Sequence, residues 1–297
     1  MRNKKRAEST SAVLDSDLKS GSVKMGYIVL YIVSILVSLC FIIPVLWVLL
    51  SAFKNTREFS AVTPTLLPEH IEISKISRVW GKVGLAKTYL STIYMMAGSL
   101  AFSLISNGLA GYVLSRLKPR GSTVVMTVIL WSMMMPGGLS MVPLFISFTK
   151  NIPFTNINLM DSYVPIWMMS GASAFNVLLF KSFFDGISSS YLEAARIDGC
   201  SELGIFKKIV MPLSKPVFFS VTIFVITGGW GQFLWPYLLI NTVSKQPIGV
   251  RTYLMQANLP VDEYFMLLIF VIIPPLVVFC FFQKYIMEGV SLGGVKG

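Results

Sequence analysis

Six stretches of the chain carry no charged residue, and each is long enough to cross a bilayer. They run over 25–53, 88–115, 121–149, 162–180, 216–244 and 264–283, each between 19 and 29 residues long. A spanning helix needs about 20 mainly apolar residues. Each stretch therefore predicts one span and none predicts two. The expected fold is an all-α membrane protein with six transmembrane helices. Residues 1–24 form a polar, basic arm, 25–286 the six-helix body and 287–297 a tail. An even number of spans puts both ends of the body on one side.

Composition agrees with that pattern. Of 297 residues, 54% are hydrophobic and 13% charged, where a soluble domain carries about 25% charged residues. Mean hydropathy is +0.70. An ordinary soluble enzyme and a disordered chain are both excluded. The net charge of +11 reads as topology, not as a nucleic-acid footprint. Segments 1–27, 115–123, 185–216 and 283–297 hold 15 Lys and Arg in 83 residues; 54–88, 148–162 and 241–263 hold 9 in 73. Basic loops stay on the cytoplasmic side, so both termini are expected there. The short loop Arg116-Leu117-Lys118-Pro119-Arg120 is the strongest vote. Residues 1–24 read as a solvated arm and the first apolar stretch as an anchor, since its length exceeds that of a cleaved signal.

The spans contain no Asp, Glu, Lys, Arg or His. Proton-coupled carriers usually keep ionisable groups there. The chain also has no G-x-x-x-x-G-K-[ST] loop; Gly81-Lys82 is its only Gly-Lys pair. If transport is driven, the energy arrives from another subunit. Cys40, Cys200 and Cys280 lack metal-ligand spacing, and His70, near Glu69 and Glu72, makes a poor metal site. No resident cofactor, metal or catalytic group is expected.

Neutral polar residues remain. Ser99, Ser103, Asn107 and Gly111 recur every four residues and share one helix stripe. It reads either as a close helix seam or as the lining of a wet path, with Asn176 as a further candidate. Pro136, Gly137, Gly138 and Pro143 interrupt the third span. The fifth carries Gly228-Gly229-Trp230-Gly231-Gln232-Phe233-Leu234-Trp235-Pro236-Tyr237. Trp230, Gln232, Trp235 and Tyr237 suit a neutral sugar, through ring faces and amide or hydroxyl atoms. An interfacial aromatic belt is the competing account.

The loop 185–216 has its own structure signals. Ser190-x-x-Glu193 reads as a capping box, Gly199 as the C′ residue closing a first helix, and Ser201 as the start of a second. Leu203, Phe206 and Val210 form the predicted apolar stripe, with Glu202, Lys207 and Lys208 facing away. By physics alone this unit reads as an interfacial helix pair.

Its residues also resemble a family. Glu193-Ala194-Ala195-x3-Gly199-x9-Ile209-x-Met211-Pro212 is similar to the EAA loop of permease subunits in ATP-binding-cassette importers. Residues 194–216, Phe175–Phe184, Phe233–Pro236 and the Gln283–Gly297 tail resemble MalG-like carbohydrate permeases. Two places depart: Ser188-Ser189-Ser190 stand where the family often has Pro, and Trp230-Gly231-Gln232 where it often has Trp-Asn-Glu. The resemblance implies a permease subunit in a bacterial cytoplasmic membrane. It implies a second homologous permease subunit, two ATPase subunits that bind ATP and magnesium, and an extracytoplasmic sugar-binding protein as partners. It makes 185–216 a cytoplasmic helix–turn–helix coupling loop between the fourth and fifth spans. Glu193 is then the charged anchor, or only a helix cap; Ala194 and Ala195 the face in the ATPase cleft; Gly199 the turn; and Ile209 and Pro212 the end of the motif. A stand-alone secondary carrier or channel is the alternative reading.

Overall fold

The computed structural model describes residues 21–59, 61, 65–150 and 158–293, without the side chains of 21, 22, 282 and 284–293. Most of the predicted arm and the last four residues of the tail lie outside that range. The chain divides into two units, Met1–Ile73 and Ser74–Gly297.

In the first unit α1 (Gly21–Ser51) is one helix through Pro44. Its apolar side chains are exposed along almost its whole length. Ser34 and Ser38 turn their hydroxyls back to the carbonyls of Leu30 and Ser34, both at 2.8 Å, so neither is left unpaired in an apolar run. A short α2 (Thr56–Phe59) follows. It is capped reciprocally: the Glu58 amide donates to Asn55 Oδ1 at 2.9 Å and the Asn55 amide to Glu58 Oε1 at 3.4 Å.

The second unit begins with α3 (Ser74–Val83) and α4 (Leu85–Leu117). The bent pair α5 (Ser122–Met134) and α6 (Gly137–Thr149) turns through 101°, where Pro136 and the two glycines interrupt the span. The next pair, α7 (Val164–Gly171) and α8 (Ala174–Asp185), bends by 40°. Then come α9 (Ser189–Ile197) and α10 (Glu202–Leu213), with α10 meeting α11 (Lys215–Trp230) at 79°. Helices α12 (Leu234–Leu239), α13 (Ile248–Met255) and α14 (Val261–Gly293) complete the unit. Every regular element among the described residues is helical.

Three helices are long and apolar enough to cross a membrane, at Val23–Ser51, Leu85–Leu117 and Val261–Phe281, and three bent pairs raise the number to as many as six. Two details differ from the sequence reading. The fourth apolar stretch, 162–180, is divided between α7 and α8. The fifth apolar stretch, 216–244, is not one helix: α11 stops at Trp230 and α12 starts at Leu234. Gly229, Gly231 and the following Pro236 weaken the helix there.

The α4–α8 seam shows why small residues stand in the predicted stripe. Ser99, Ser103, Asn107 and Gly111 are all buried. A Cβ on Gly111 would lie 2.7 Å from Phe180 Cβ, and one on Gly98 2.1 Å from the Trp167 ring. Glycine is therefore required at both sites, at Gly111 for the close approach of the α8 backbone and at Gly98 for the Trp167 indole of α7. The seam reading of the stripe holds.

Two buried clusters flank this seam. One joins Tyr112, Phe180, Phe184, Leu192, Ala195, Ile205, Phe206, Val210, Val217 and Val221. The other joins Met95, Phe148, Tyr163, Ile166, Leu239 and Ile240. Charge stitches elements that the apolar pattern left as loops. Lys75 of α3, fully buried, pairs with Asp262 at 3.0 Å, and Lys82 with Glu263 at 2.8 Å. Arg251 of α13 donates to the Val83 carbonyl at 3.2 Å.

Asp161 is the second stitch. Its φ is 55°, a left-handed conformation that Asp tolerates better than most residues. Its amide donates to the Leu239 carbonyl at 2.8 Å. Its carboxylate accepts from the Asn241 and Thr242 amides, the Thr242 hydroxyl and Lys245 Nζ, between 2.7 and 3.0 Å. Burial pushes this carboxyl up, but the hydrogen bonds from Lys245 and Thr242 outweigh it and hold the pKa at about 2. A carboxyl depressed below its unfolded value stabilises the fold above about pH 4, and that stabilisation is lost as pH falls from there towards 2. Asp161→Asn is expected to lower stability at pH 7 by on the order of 1 kcal/mol, at the low end for charge-assisted bonds because Lys245 stands half in solvent. The difference from wild type should vanish as pH approaches 2. Thermal unfolding in detergent across pH 2–7 checks this.

Candidate functional site

The helix–turn–helix over 185–216 is built as two faces. Helix α9 ends in a Schellman motif: the Cys200 amide donates to the Ala195 carbonyl at 2.9 Å and the Gly199 amide to that of Arg196 at 3.0 Å. Gly199 has φ +78°, where any side chain would be strained. The turn is therefore the one the sequence predicts. Ser201 caps α10, its hydroxyl accepting the Gly204 amide at 3.2 Å.

Four details correct the sequence reading. First, α9 begins two residues early, at Ser189 with Ser188 at the N-cap position. The Ser190 hydroxyl meets that of Ser188 at 2.7 Å, so no Ser190–Glu193 capping box forms. Glu193 is exposed and has no hydrogen bond or ion pair among the described residues. It feels Arg196 only through longer-range attraction. Second, Ala194 and Ala195 do not share a face. Ala195 is buried against Leu192 and Phe206, while Ala194 is exposed. Third, the buried stripe of α10 is Ile205, Phe206 and Val210, and Leu203 is 54% exposed. Phe206–Val210 is a π-helical turn, and its wider repeat brings 205 and 210 onto one side. Ile209 is half-buried beside this cluster, and Pro212 is exposed directly after the wide turn. Fourth, Glu202 does not stand free on the outer face, although its side chain is 43% exposed. It takes a hydrogen bond from the Tyr112 hydroxyl at 2.9 Å and pairs with Arg196 Nε at 2.8 Å.

That last contact fastens the loop to α4, and sequence reasoning missed it. Arg116 donates to the carbonyls of Phe184 and Ile187, at the end of α8. Ser115 donates to Asp185 at 2.7 Å, and Lys181 pairs with Asp185 at 2.6 Å. Tyr112 gave no signal inside an apolar run; Arg116 read only as a topological charge. The outward face of the loop is left with Tyr191, Glu193, Ala194, Ile197 and Leu203. Ile197 is 86% exposed.

The solute-path candidates separate into two groups. Asn107 is fully buried. It donates to the Ser170 carbonyl and to Ser103 Oγ, both at 3.0 Å, and accepts the Ser173 amide at 3.1 Å. Asn176 donates to Ser103 Oγ at 3.1 Å. Asn107 thus serves the break between α7 and α8, and Asn176 bonds across to α4. Trp230 donates to the Val271 carbonyl at 3.0 Å, and Trp235 packs edge-on against Phe148. Gln232 and Tyr237 are different. The Gln232 side chain is half-buried and its carboxamide has no hydrogen bond among the described residues. Tyr237 is 41% exposed. Gly228 and Gly231 beside them have nothing within 4 Å of a built Cβ, whereas Gly229 would meet Met96 at 3.1 Å.

A family model for the binding-protein-dependent transport system inner membrane component matches residues 107–291. The chain belongs to that family. Its members are transport permease subunits of ATP-binding-cassette (ABC) importers, not enzymes, and they work with ATPase subunits and a substrate-binding protein. The chain is accordingly a multi-pass membrane protein of the carbohydrate-permease type. It is 28% identical to the polygalacturonan/rhamnogalacturonan transport system permease protein YtcP of Bacillus subtilis, over 86% of this chain and 93% of that one. It is also 28% identical to the diacetylchitobiose uptake system permease protein NgcG of Streptomyces coelicolor, over 95% and 91%. A chain from the crystal structure of a bacterial ABC transporter involved in the import of the acidic polysaccharide alginate superposes with a TM-score of 0.80. It is 26% identical, with 90% of this chain and 98% of that one covered.

The Tyr112–Glu202 bond joins the loop to α4. Tyr112→Phe keeps the ring in the core and removes the bond. It is expected to cost about 1 kcal/mol and to raise protease cleavage within 185–216 with no change elsewhere. Limited proteolysis followed by mass spectrometry reads the difference.

Proposed function

We propose that this chain is one half of the translocation path of an ATP-driven oligosaccharide importer, with six spans and both termini in the cytoplasm. Loop 185–216, between the fourth and fifth spans, docks in an ATPase cleft. The ATPases bind ATP and magnesium, a second homologous permease completes the path, and an extracytoplasmic binding protein delivers the sugar. The stand-alone carrier or channel has no comparable support.

The observation that carries the reading is the division of α9 and α10 into two faces. Leu192, Ala195, Phe206 and Val210 bind the loop to the bundle. Tyr191, Ala194, Ile197 and Leu203 stay outside with the unpaired carboxylate of Glu193. An exposed apolar patch carrying a charged group suits a partner surface. A force on that patch reaches α4 through Glu202 and Tyr112. Residues 25–286 act as one permease body in this reading, and 1–24 and 287–297 as cytoplasmic arm and tail. The apolar exposure of α1 and α5 fits lipid and a second permease. The relatives named above are permeases for polygalacturonan/rhamnogalacturonan transport and diacetylchitobiose uptake, which supports an oligosaccharide. Gln232 and Tyr237, beside open glycines, line the path.

Glu193→Gln removes only the charge and Gly199→Val only the permitted turn. Each should lower ATP-driven uptake by the reconstituted importer at least about tenfold, as loss of a desolvated charge contact or a strained turn does, while the chain still inserts. Normal uptake in both sinks the coupling role. Gln232→Leu should slow uptake and leave ATPase docking intact. In intact cells, an impermeant thiol reagent should label a cysteine placed at His70 and spare one placed at Lys5. The reverse result inverts the topology.

A further inference from the structure

At the break between α11 and α12, three rings from two elements converge. Phe233 and Tyr237 stack with centroids 5.0 Å apart. Tyr253 of α13 stands 4.7 Å from Phe233 and edge-on to Tyr237 at 5.5 Å. The three form a packed cluster, with Phe233 and Tyr237 face to face and Tyr253 against both, so only their outer faces and edges are free to meet a solute. Tyr253 is 51% exposed and Tyr237 41%.

The two tyrosine hydroxyls differ from the polar ends of five aromatics that pack inside the bundle. The hydroxyls of Tyr89, Tyr112 and Tyr163 donate to the Phe270 carbonyl, Glu202 and the Lys245 carbonyl. The Trp167 and Trp230 indoles donate to the Met95 and Val271 carbonyls. Those groups are committed. The Tyr237 and Tyr253 hydroxyls have no hydrogen bond among the described residues, and neither does the side-chain carboxamide of Gln232, whose backbone N–H is taken by the Gly229 carbonyl at 3.3 Å. Ring faces beside free neutral donors and acceptors are what a sugar ring needs, since its C–H face is apolar and its rim is hydroxylated.

We propose that Phe233, Tyr237 and Tyr253 form a stacking platform for one ring of a neutral oligosaccharide, with Gln232 bonding its hydroxyls. This rests on the reading of the break as part of the solute path. Local charge selects against a uronate. A carboxylate leaving water needs a cation or several donors. Arg251, two residues from Tyr253, is 8% exposed and donates to the Val83 carbonyl. Lys245 is held by Asp161 at 2.7 Å.

The test is saturation-transfer NMR on the full chain in lipid nanodiscs, with a pool of arabinotriose, maltotriose and chitotriose against trigalacturonate. A neutral trisaccharide should receive saturation and trigalacturonate should not. Tyr253→Leu should weaken binding about tenfold, the scale of removing one stacked aromatic anchor, while Tyr253→Phe keeps it within about twofold. Phe233→Leu is the second variant, so the result does not hang on one substitution folding. No neutral signal, or wild-type binding in folded Tyr253→Leu and Phe233→Leu, overturns the platform. Equal binding of trigalacturonate overturns its selectivity. If Gln232→Leu still slows uptake, the platform alone has failed; if Gln232→Leu and Tyr253→Leu both transport normally, the path reading has failed with it.

Discussion

A helix that breaks inside hydrocarbon releases amides and carbonyls that no water can satisfy, and each orphan costs several kcal/mol. The rest of this structure depends on how that constraint is met at the α7–α8 break. Asn107 accepts the Ser173 amide and donates to the Ser170 carbonyl. Ser103 accepts from both Asn107 and Asn176. The first π-helical turn of α4, Ser103–Asn107, is where these side chains stand. The wide turn in one helix and the break in its neighbour therefore form one hydrogen-bonded unit. With Gly111 against Phe180, it makes α4 and α8 one body.

That body explains how a surface loop can address the interior. Along α4, Met95 accepts from Trp167, Asn107 serves the break, Tyr112 holds Glu202, and Arg116 takes the carbonyls at the end of α8. The loop's buried face merges with the same helix through the cluster of Tyr112, Phe180 and Phe206. Under the proposed coupling role, an ATPase pushing on Ile197 and Glu193 moves a packed unit, because interiors at crystal-like density transmit displacement instead of absorbing it.

Much of this was legible in the sequence, and the failures have physical causes. Charge-free stretches located the apolar helices because the bilayer forbids ionised groups almost everywhere. Gly199 was legible because a left-handed turn leaves few alternatives to glycine. The helix start was read two residues late, and a capping box expected that does not form, because Ser188, Ser189 and Ser190 offer the same chemistry at three positions. Leu203 was misassigned because a 3.6-residue repeat cannot anticipate a π turn. The partners of Asn107 and Asn176 were not legible because a buried amide reads alike whether it meets a solute or a broken backbone. Helices α3 and α13 were missed because their burial runs through Lys75, Asp262 and Arg251, charges that a hydropathy pattern assigns to solvent.

The glycines show why structure and sequence carry different information here. Gly98 and Gly111 have almost no room for a Cβ, while Gly228 and Gly231 have open space around them. The sequence presents both pairs as small residues in apolar runs. In the first pair glycine permits contact, and the contact fixes α4 against α7 and α8. In the second it buys no packing, yet costs helix stability of roughly 1 kcal/mol per residue. The break at 231–233 follows from that weakness. Gly229 lies between the two regimes, close to Met96 of α4, so the end of α11 abuts the rigid body at one residue and is open on either side. A permease needs both properties at once, a body that moves as a unit and a backbone that stays accessible beside it. In this chain the two meet within four residues.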